Sequence, residues 1–328
     1  MEYDQWIRYF RLTVAVDGTN SEALDLSDFR VRFSISQALA GKPTTADITV
    51  YNVGSDTINA IKTPTNDTLR TNRLAVILEA GYQDDHAIIF NGNLWWKASG
   101  RETGTDTFMR LIAATGDRAS QFAVVNASIP KGATQSQIFA IVAKSMQEKG
   151  VQPCNLPVEM ATALPRGKVL YMMSERAMQG IADTNNFLWG YGTNGLVAIP
   201  KEPTYDTGEE VVVINAQTGM IGRPELTVDG VNVQCLLNPR IDVGTLIQLN
   251  NATIQKNAGY DTSYSREAVN ANLAAGDAML DSDGLYRVYS REFVGDTRGN
   301  DWYANLRCMG VNAVRPQNPT AYSTFQNM

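Results

Sequence analysis

The chain of 328 residues is long enough to bury roughly three quarters of its unfolded surface and exceeds one hydrophobic core, so two or three domains are expected. Its 44% apolar and 19% charged residues exclude an intrinsically disordered chain. With 28 basic against 34 acidic residues the net charge is -6, so no global positive field draws the protein to a nucleic-acid backbone or an anionic membrane surface.

The first residues, Met1-Glu2-Tyr3-Asp4-Gln5-Trp6, do not pair a basic segment with an apolar one, so they do not read as a secretory signal. No apolar run approaches the ~20 residues that span a bilayer. The expectation is a soluble protein made in a cytoplasm. Cys154, Cys235 and Cys308 are odd in number, far apart and never in a CxxC pair, which argues against a disulfide framework and a zinc site.

Over residues 6–96 apolar residues recur with period two, the pattern of strands with one buried and one wet face. Phe29, Val31, Phe33 and Ile35 alternate with Arg30, Arg32, Ser34 and Ser36. Earlier, Ile7, Tyr9 and Arg11 alternate with Arg8, Phe10 and Leu12, which predicts partial burial on both sides. Further strands are predicted at 46–52, 73–80, 88–96 and 107–114, with turns at Gly41-Lys42-Pro43 and Gln83-Asp84-Asp85 and one short helix at 55–61. Many strands with short turns predict a barrel or sandwich, because closure removes exposed edges. This is the first domain, residues 1–116.

The pattern then changes. Thr134 followed by Gln137 reads as a capping box, and Ile138, Phe139, Ile141, Val142 and Met146 share one helical face until Gly150. A second helix begins after Ser174, carries Met178 and Ile181, and leads into Phe187-Leu188-Trp189-Gly190-Tyr191. With Leu196-Val197-Ala198-Ile199 across Asn194-Gly195 this run predicts a hairpin. Residues 117–217 thus read as a middle α+β domain.

Strand patterns return at 226–237, 245–249, 284–294 and 302–309, the last two flanking the polar loop 295–301. Residues 218–328 form the second β domain, with an inserted polar loop at 250–283 that holds a short helix at 271–280. The fold class is mainly β with an α+β insertion: two β-barrel domains around the middle region.

Candidate chemistry is sparse. A Ser-His-Asp or Cys-His site would need His86, the only histidine, whose place after Gln83-Asp84-Asp85 favours a surface turn residue over a catalytic base. Asp281-Ser282-Asp283-Gly284 lacks the later glutamate of a calcium loop and reads as a turn, and Glu209-Glu210 as a solvated face. Two carboxylates suffice for a glycosidase, so counting acids leaves that chemistry open. No phosphate-binding or dinucleotide fingerprint is present. Trp95-Trp96 could form a sugar-stacking platform, but neighbours on a strand face opposite ways, which favours one in the core and one at an interface. Asn66-Asp67-Thr68, Asn126-Ala127-Ser128 and Asn251-Ala252-Thr253 match the glycosylation pattern, which carries no weight without a signal peptide. No catalytic, cofactor-binding or metal-binding residue is assigned.

The run Thr218-Gly219-Met220-Ile221-Gly222-Arg223-Pro224-Glu225-Leu226-Thr227, then Asp229-Gly230-Val231-Asn232-Val233 and Cys235-Leu236-Leu237-Asn238-Pro239-Arg240-Ile241, resembles a segment of baseplate hub proteins of contractile bacteriophage tails. That family is related to late control protein D and to the N-terminal regions of type VI secretion spikes. Gly244-Thr245-Leu246-Ile247-Gln248-Leu249 and Gly284-Leu285-Tyr286-Arg287-Val288 resemble its later strands in order, and Ala46-Asp47-Ile48-Thr49-Val50-Tyr51-Asn52, Ala80-Gly81-Tyr82 and Ile89-Phe90-Asn91-Gly92 its first tube-like domain.

The resemblance implies a non-enzymatic homotrimer whose two tail-tube-like barrels per subunit give a pseudo-six-fold ring, joining a six-fold tail tube to a three-fold central spike. Implied partners are the spike, the tail tube protein or tube initiator, the tape-measure protein and wedge components. DNA passes through the lumen without sequence-specific contact, and the virion tail baseplate is the location, with no cofactor and no membrane. Ending at Met328, the chain departs from relatives with a fused spike or lysozyme domain, which implies a separate spike. The rival readings are a six-fold distal tail protein and a tail-associated carbohydrate hydrolase or binding module.

Overall fold

The computed structural model describes residues 7–16, 22–62, 74–201, 210–227, 230–255 and 284–311. The first elements are β1 (Arg8–Ala15), β2 (Ala23–Asp25), β3 (Val31–Ala38), β4 (Thr44–Tyr51), α1 (Ser55–Ala60), β5 (Ala75–Tyr82), β6 (Asp85–Arg101) and β7 (Thr107–Thr115). The period-two pattern is realised in β3, where Val31, Phe33 and Ile35 are buried while Arg32 and Ser36 are exposed. In β1, Tyr9 and Phe10 are both half-buried, as apolar residues on both faces require.

Next come α2 (Asp117–Phe122), β8 (Val124–Ile129), α3 (Gln135–Gln147), β9 (Lys168–Met173), α4 (Ser174–Asn185), β10 (Phe187–Gly192) and β11 (Gly195–Pro200). The Thr134–Gln137 capping box is formed, and α3 buries Ile138, Phe139, Val142, Ala143 and Met146. Ile141 is only half-buried, at the border of that face. These helices pack on the β8–β9 pair and the β10–β11 hairpin in one apolar cluster that includes Ile138, Phe139, Met178, Phe187 and Trp189. Gly116 stands at φ 76, and a Cβ there would lie 2.2 Å from the Tyr191 ring, so only glycine lets the hairpin approach this turn. β8, β9 and α2 have no counterpart among the predicted elements.

The last elements are β12 (Val211–Val213), β13 (Met220–Thr227), β14 (Gly230–Leu236), β15 (Leu246–Gln248), β16 (Leu285–Asp296) and β17 (Trp302–Gly310). The strand expected at 226–237 is in fact a hairpin, with Thr227 opposite Gly230. The helix expected at 271–280 lies outside the described residues. No helix among the described residues is long and apolar enough to cross a membrane.

The two expected barrels are not formed. Among the described residues thirteen strands join in one sheet of order β13-β14-β17-β16-β3-β4-β7-β6-β5-β1-β2, with β12 and β15 branching at β16, and its ends do not meet. The physical reason is the antiparallel pairing of β3 with β16, from Arg32 opposite Asp296 to Ala38 opposite Ser290. Each β region satisfies an open edge on the other instead of closing on itself. A single apolar cluster then runs through both, from Leu12, Ile35 and Leu78 to Val233, Phe293 and Trp302.

The strand order contains a duplication. The series β3-β4-β7-β6-β5 and β13-β14-β17-β16-β15 have the same connectivity, with every neighbouring pair antiparallel. In both, the fourth strand is shifted by one residue against the third, at Leu94/Trp96 in β6 and at Val288/Ser290 in β16.

Candidate functional site

One face of the long sheet is apolar and covered, and the other carries cross-strand polar pairs. Gln234 of β14 donates to Asn305 of β17 (2.9 Å), Asn305 donates to Glu292 of β16 (3.1 Å), and Ser34 of β3 donates to the same carboxylate (3.0 Å). Further along, Arg110 of β7 forms a two-pronged pair with Asp47 of β4, with Nε donating at 2.8 Å. A shallow depression of about 350 Å³ on this face is lined by Arg32, Ser34, Asp47, Thr49, Tyr51 and Arg110. Arg110 and Asp47 neutralise each other, Glu292 is held by neutral donors, and Glu102 and Asp301 also line the depression, so this face is polar without a surplus of positive charge.

Asp296, at the end of β16, gathers the rim. Arg30 donates to it at 2.7 and 3.3 Å, Arg32 lies 3.9 Å away, and the Arg298 N–H donates at 3.0 Å. Burial opposes its ionisation, but the bonds from Arg30, Arg298 and Gly299 outweigh burial and hold the carboxyl below its usual 3.8. A depressed folded-state value stabilises the fold above the unfolded value and is lost as pH falls through the folded one. Stability should therefore drop more steeply below about pH 4 in the parent than in Asp296→Asn. Denaturation midpoints measured across that range check this, and parallel acid limbs would remove Asp296 from the acid response.

A second polar cluster is buried where the β10–β11 hairpin meets the sheet. Arg291 is 2% exposed, donates to the Ile241 carbonyl at 2.6 Å and to Thr193 Oγ1 at 3.4 Å, and sits 3.5 Å from Asp242. Burial lowers its pKa, against the attraction of Asp242. The Gln37 side chain, opposite Arg291 on β3, is buried as well.

The residues weighed for chemistry are dispersed. His86 is not in a turn: it is the second residue of β6, stacked on Tyr9 with ring centroids 3.8 Å apart, with Nε2 3.5 Å from Glu79 and Nδ1 3.3 Å from the Tyr82 carbonyl. The β5–β6 turn is two residues tighter than the local sequence implies, which draws His86 into the ladder. Glu210 is exposed, 3.9 Å from Arg240, while Glu209, Asp281, Ser282, Asp283 and the Asn66 site lie outside the described residues. Asn126 falls in β8 and Asn251 in a short 3-10 helix. The described cysteine thiols are free, and burial pushes Cys154 up to about 11 and Cys235 up to about 12. Among the described residues no group of three or more His, Cys, Asp or Glu could hold a metal ion.

Trp95 and Trp96 correct the alternation argument. Both are exposed, at 38% and 46%, because the register shift makes Trp95 the extra residue of a bulge. Leu94 faces the core and Trp96 lies opposite outward-facing Ile112, so both indoles are on the outer face. Neither packs in the core. One inserted residue overrides the period of two, and no local pattern announces it.

Comparison with solved structures shows the same fold at low identity. The prophage MuSo2 43 kDa tail protein from Shewanella oneidensis is 9% identical, with a TM-score of 0.54 over 94% of this chain and 100% of that one. The tail protein from Neisseria meningitidis MC58 is 9% identical, with a TM-score of 0.52 over 92% and 96%. A type VI secretion system component of E. coli, described as similar to the T4 bacteriophage tail proteins gp27 and gp5, is 10% identical, with a TM-score of 0.51 over 88% and 76%. No curated protein sequence matches the chain. The family model described as "Baseplate hub gp41" matches residues 9–278, and the chain belongs to this family: it is a structural component of a phage tail baseplate.

Proposed function

We propose that three copies form a ring that adapts a six-fold tail tube to a three-fold central spike. The observation that carries this reading is the duplicated strand order within one chain, since three chains would then present six like units. In this reading residues 1–116 and 218–328 supply the two like units, and 117–217 form the unit between them. The described strands leave two unlike edges, that of β6 beyond Asn93, where its pairing with β5 ends, and that of β13, in keeping with the unlike flanking surfaces that a ring subunit needs.

This polar face suits a lumen that DNA crosses without being held, because Arg110 is paired with Asp47 and the Glu292 carboxylate is held by neutral donors, which leaves little net attraction for phosphates. The partners in this reading are the spike below, the tube protein or its initiator above, the tape-measure protein and wedge components. Light scattering on the purified chain, alone and with its spike, is expected to give three copies. Six copies would replace this reading with a distal tail ring, and a monomer that cleaves peptidoglycan or surface polysaccharide would replace it with a hydrolase.

A further inference from the structure

The duplication points to where one copy meets the next. Within the chain the two repeats join where β3 pairs with Ser290 to Asp296, the part of β16 just beyond its bulge. The matching part of β6 is Trp96 to Arg101, just beyond its own bulge. There β6 overhangs: its pairing with β5 ends at Asn93, and among the described residues no strand lies on its outer side beyond the Leu94 to Leu74 bond. The strand that matches β3 is β13, which ends the sheet on the other side.

We infer that residues 98–101 of β6 pair antiparallel with Pro224 to Thr227 of β13 in a second copy, so that the in-chain junction is repeated between chains. This deepens the trimeric-ring reading and rests on it.

The register follows from matching the bulges. Across successive partners, Leu94, Ala113, Ala46 and Ile35 in one repeat correspond to Val288, Cys308, Val231 and Leu226 in the other, all buried. Inside the chain Ile35 lies opposite Phe293. The residue at the same offset from the bulge in β6 is Ser99, which therefore faces Leu226 of the next copy. Ala98 then faces Thr227, and Gly100 faces Glu225.

Two independent features agree with this register. Ser99 is opposite core-facing Met109, and Leu226 also turns to the core, so both point to the same side of the sheet. Continuing the antiparallel ladder brings Glu102 opposite Arg223, two exposed side chains of opposite sign on the outer face. In the single chain Gln255 bonds to part of the β13 edge, taking the Leu226 N–H at 2.9 Å and donating to the Pro224 carbonyl at 2.7 Å. The incoming strand displaces this one-residue bridge.

The test is oxidative cross-linking of the full-length chain carrying Ala98→Cys and Thr227→Cys together. Covalent dimers and trimers are expected from the double variant only, because the contact joins two different strands. Cross-linking of either single variant would mean a symmetric contact and overturn the inference. A trimer by light scattering that does not cross-link would place the contact elsewhere and leave the ring reading standing, whereas a monomer that does not cross-link would remove both. Charge reversal supplies the second measurement: Glu102→Arg or Arg223→Glu alone should weaken self-association about tenfold, and the two together should restore it. Failure of the pair to restore it would overturn the register.

Discussion

Trp302→Ala should destabilise the fold by about 3–5 kcal/mol, one of the two largest losses expected from a single truncation in this chain. Trp302 opens β17, is 2% exposed, and meets Phe33 of β3 edge-on at 5.6 Å. The Arg8 guanidinium of β1 lies 5.3 Å from the indole centroid and donates to the Gly299 carbonyl at 2.7 Å and the Asn300 carbonyl at 3.0 Å. One ring thus fastens the first strand, the third and the last at the junction where the two β regions share an edge. The surrounding backbone has little freedom to collapse into the space, because a Cβ added at Gly295 would already lie 2.3 Å from Phe33. Chemical denaturation of Trp302→Ala beside Trp95→Ala decides the matter. The exposed indole should cost less than about 0.5 kcal/mol, and comparable losses at both positions would mean that the junction is not part of the cooperative core.

Arg291 should behave differently according to what replaces it. Arg291→Ala leaves a cavity and strips the Ile241 carbonyl of its 2.6 Å donor, so a loss of about 3–5 kcal/mol is expected. Arg291→Met fills most of the volume with apolar atoms beside Phe293, whose ring centroid lies 4.3 Å from the guanidinium carbon, but still leaves the Ile241 carbonyl without its donor, so a smaller loss of about 1–3 kcal/mol is expected. The methionine variant should also loosen the β10–β11 turn, since it removes one of the two bonds from Thr193 Oγ1 to the sheet and leaves the one to the Ile89 carbonyl. Hydrogen exchange at residues 192–195 would rise while the denaturation midpoint falls less than in Arg291→Ala. Equal losses for alanine and methionine would show that the guanidinium bonds, not the filled volume, hold this site.

Much of the local structure was legible from the sequence because its causes are local. The alternation of Val31, Phe33 and Ile35 with Arg32, Ser34 and Ser36 needs only the pleat to become β3, and Thr134 with Gln137 needs only one helical turn to become a capping box. The run from Thr218 to Ile241 likewise carried the family through its residue order. Where a short feature was missed, the signal was brief. Asp229-Gly230 is a turn dipeptide inside the apolar stretch that was read as one strand and proved to be the β13–β14 hairpin.

What only the tertiary structure decided depends on residues remote in sequence or on single-residue irregularities. Joining two β regions through β3 and β16, instead of closing each as a barrel, brings together groups such as Ser34 and Glu292, 258 residues apart. Both arrangements satisfy strand edges equally well in a local reading, so hydrophobic alternation does not choose between them. The bulge at Trp95 turns both indoles outward, the burial of Arg291 depends on a hairpin nearly a hundred residues away, and the duplicated strand order leaves no repeat in the residue text. Period and capping act within a few residues and so determined the elements. Edge pairing, register and burial act between elements, and they determined the single open sheet and the surfaces it offers for assembly.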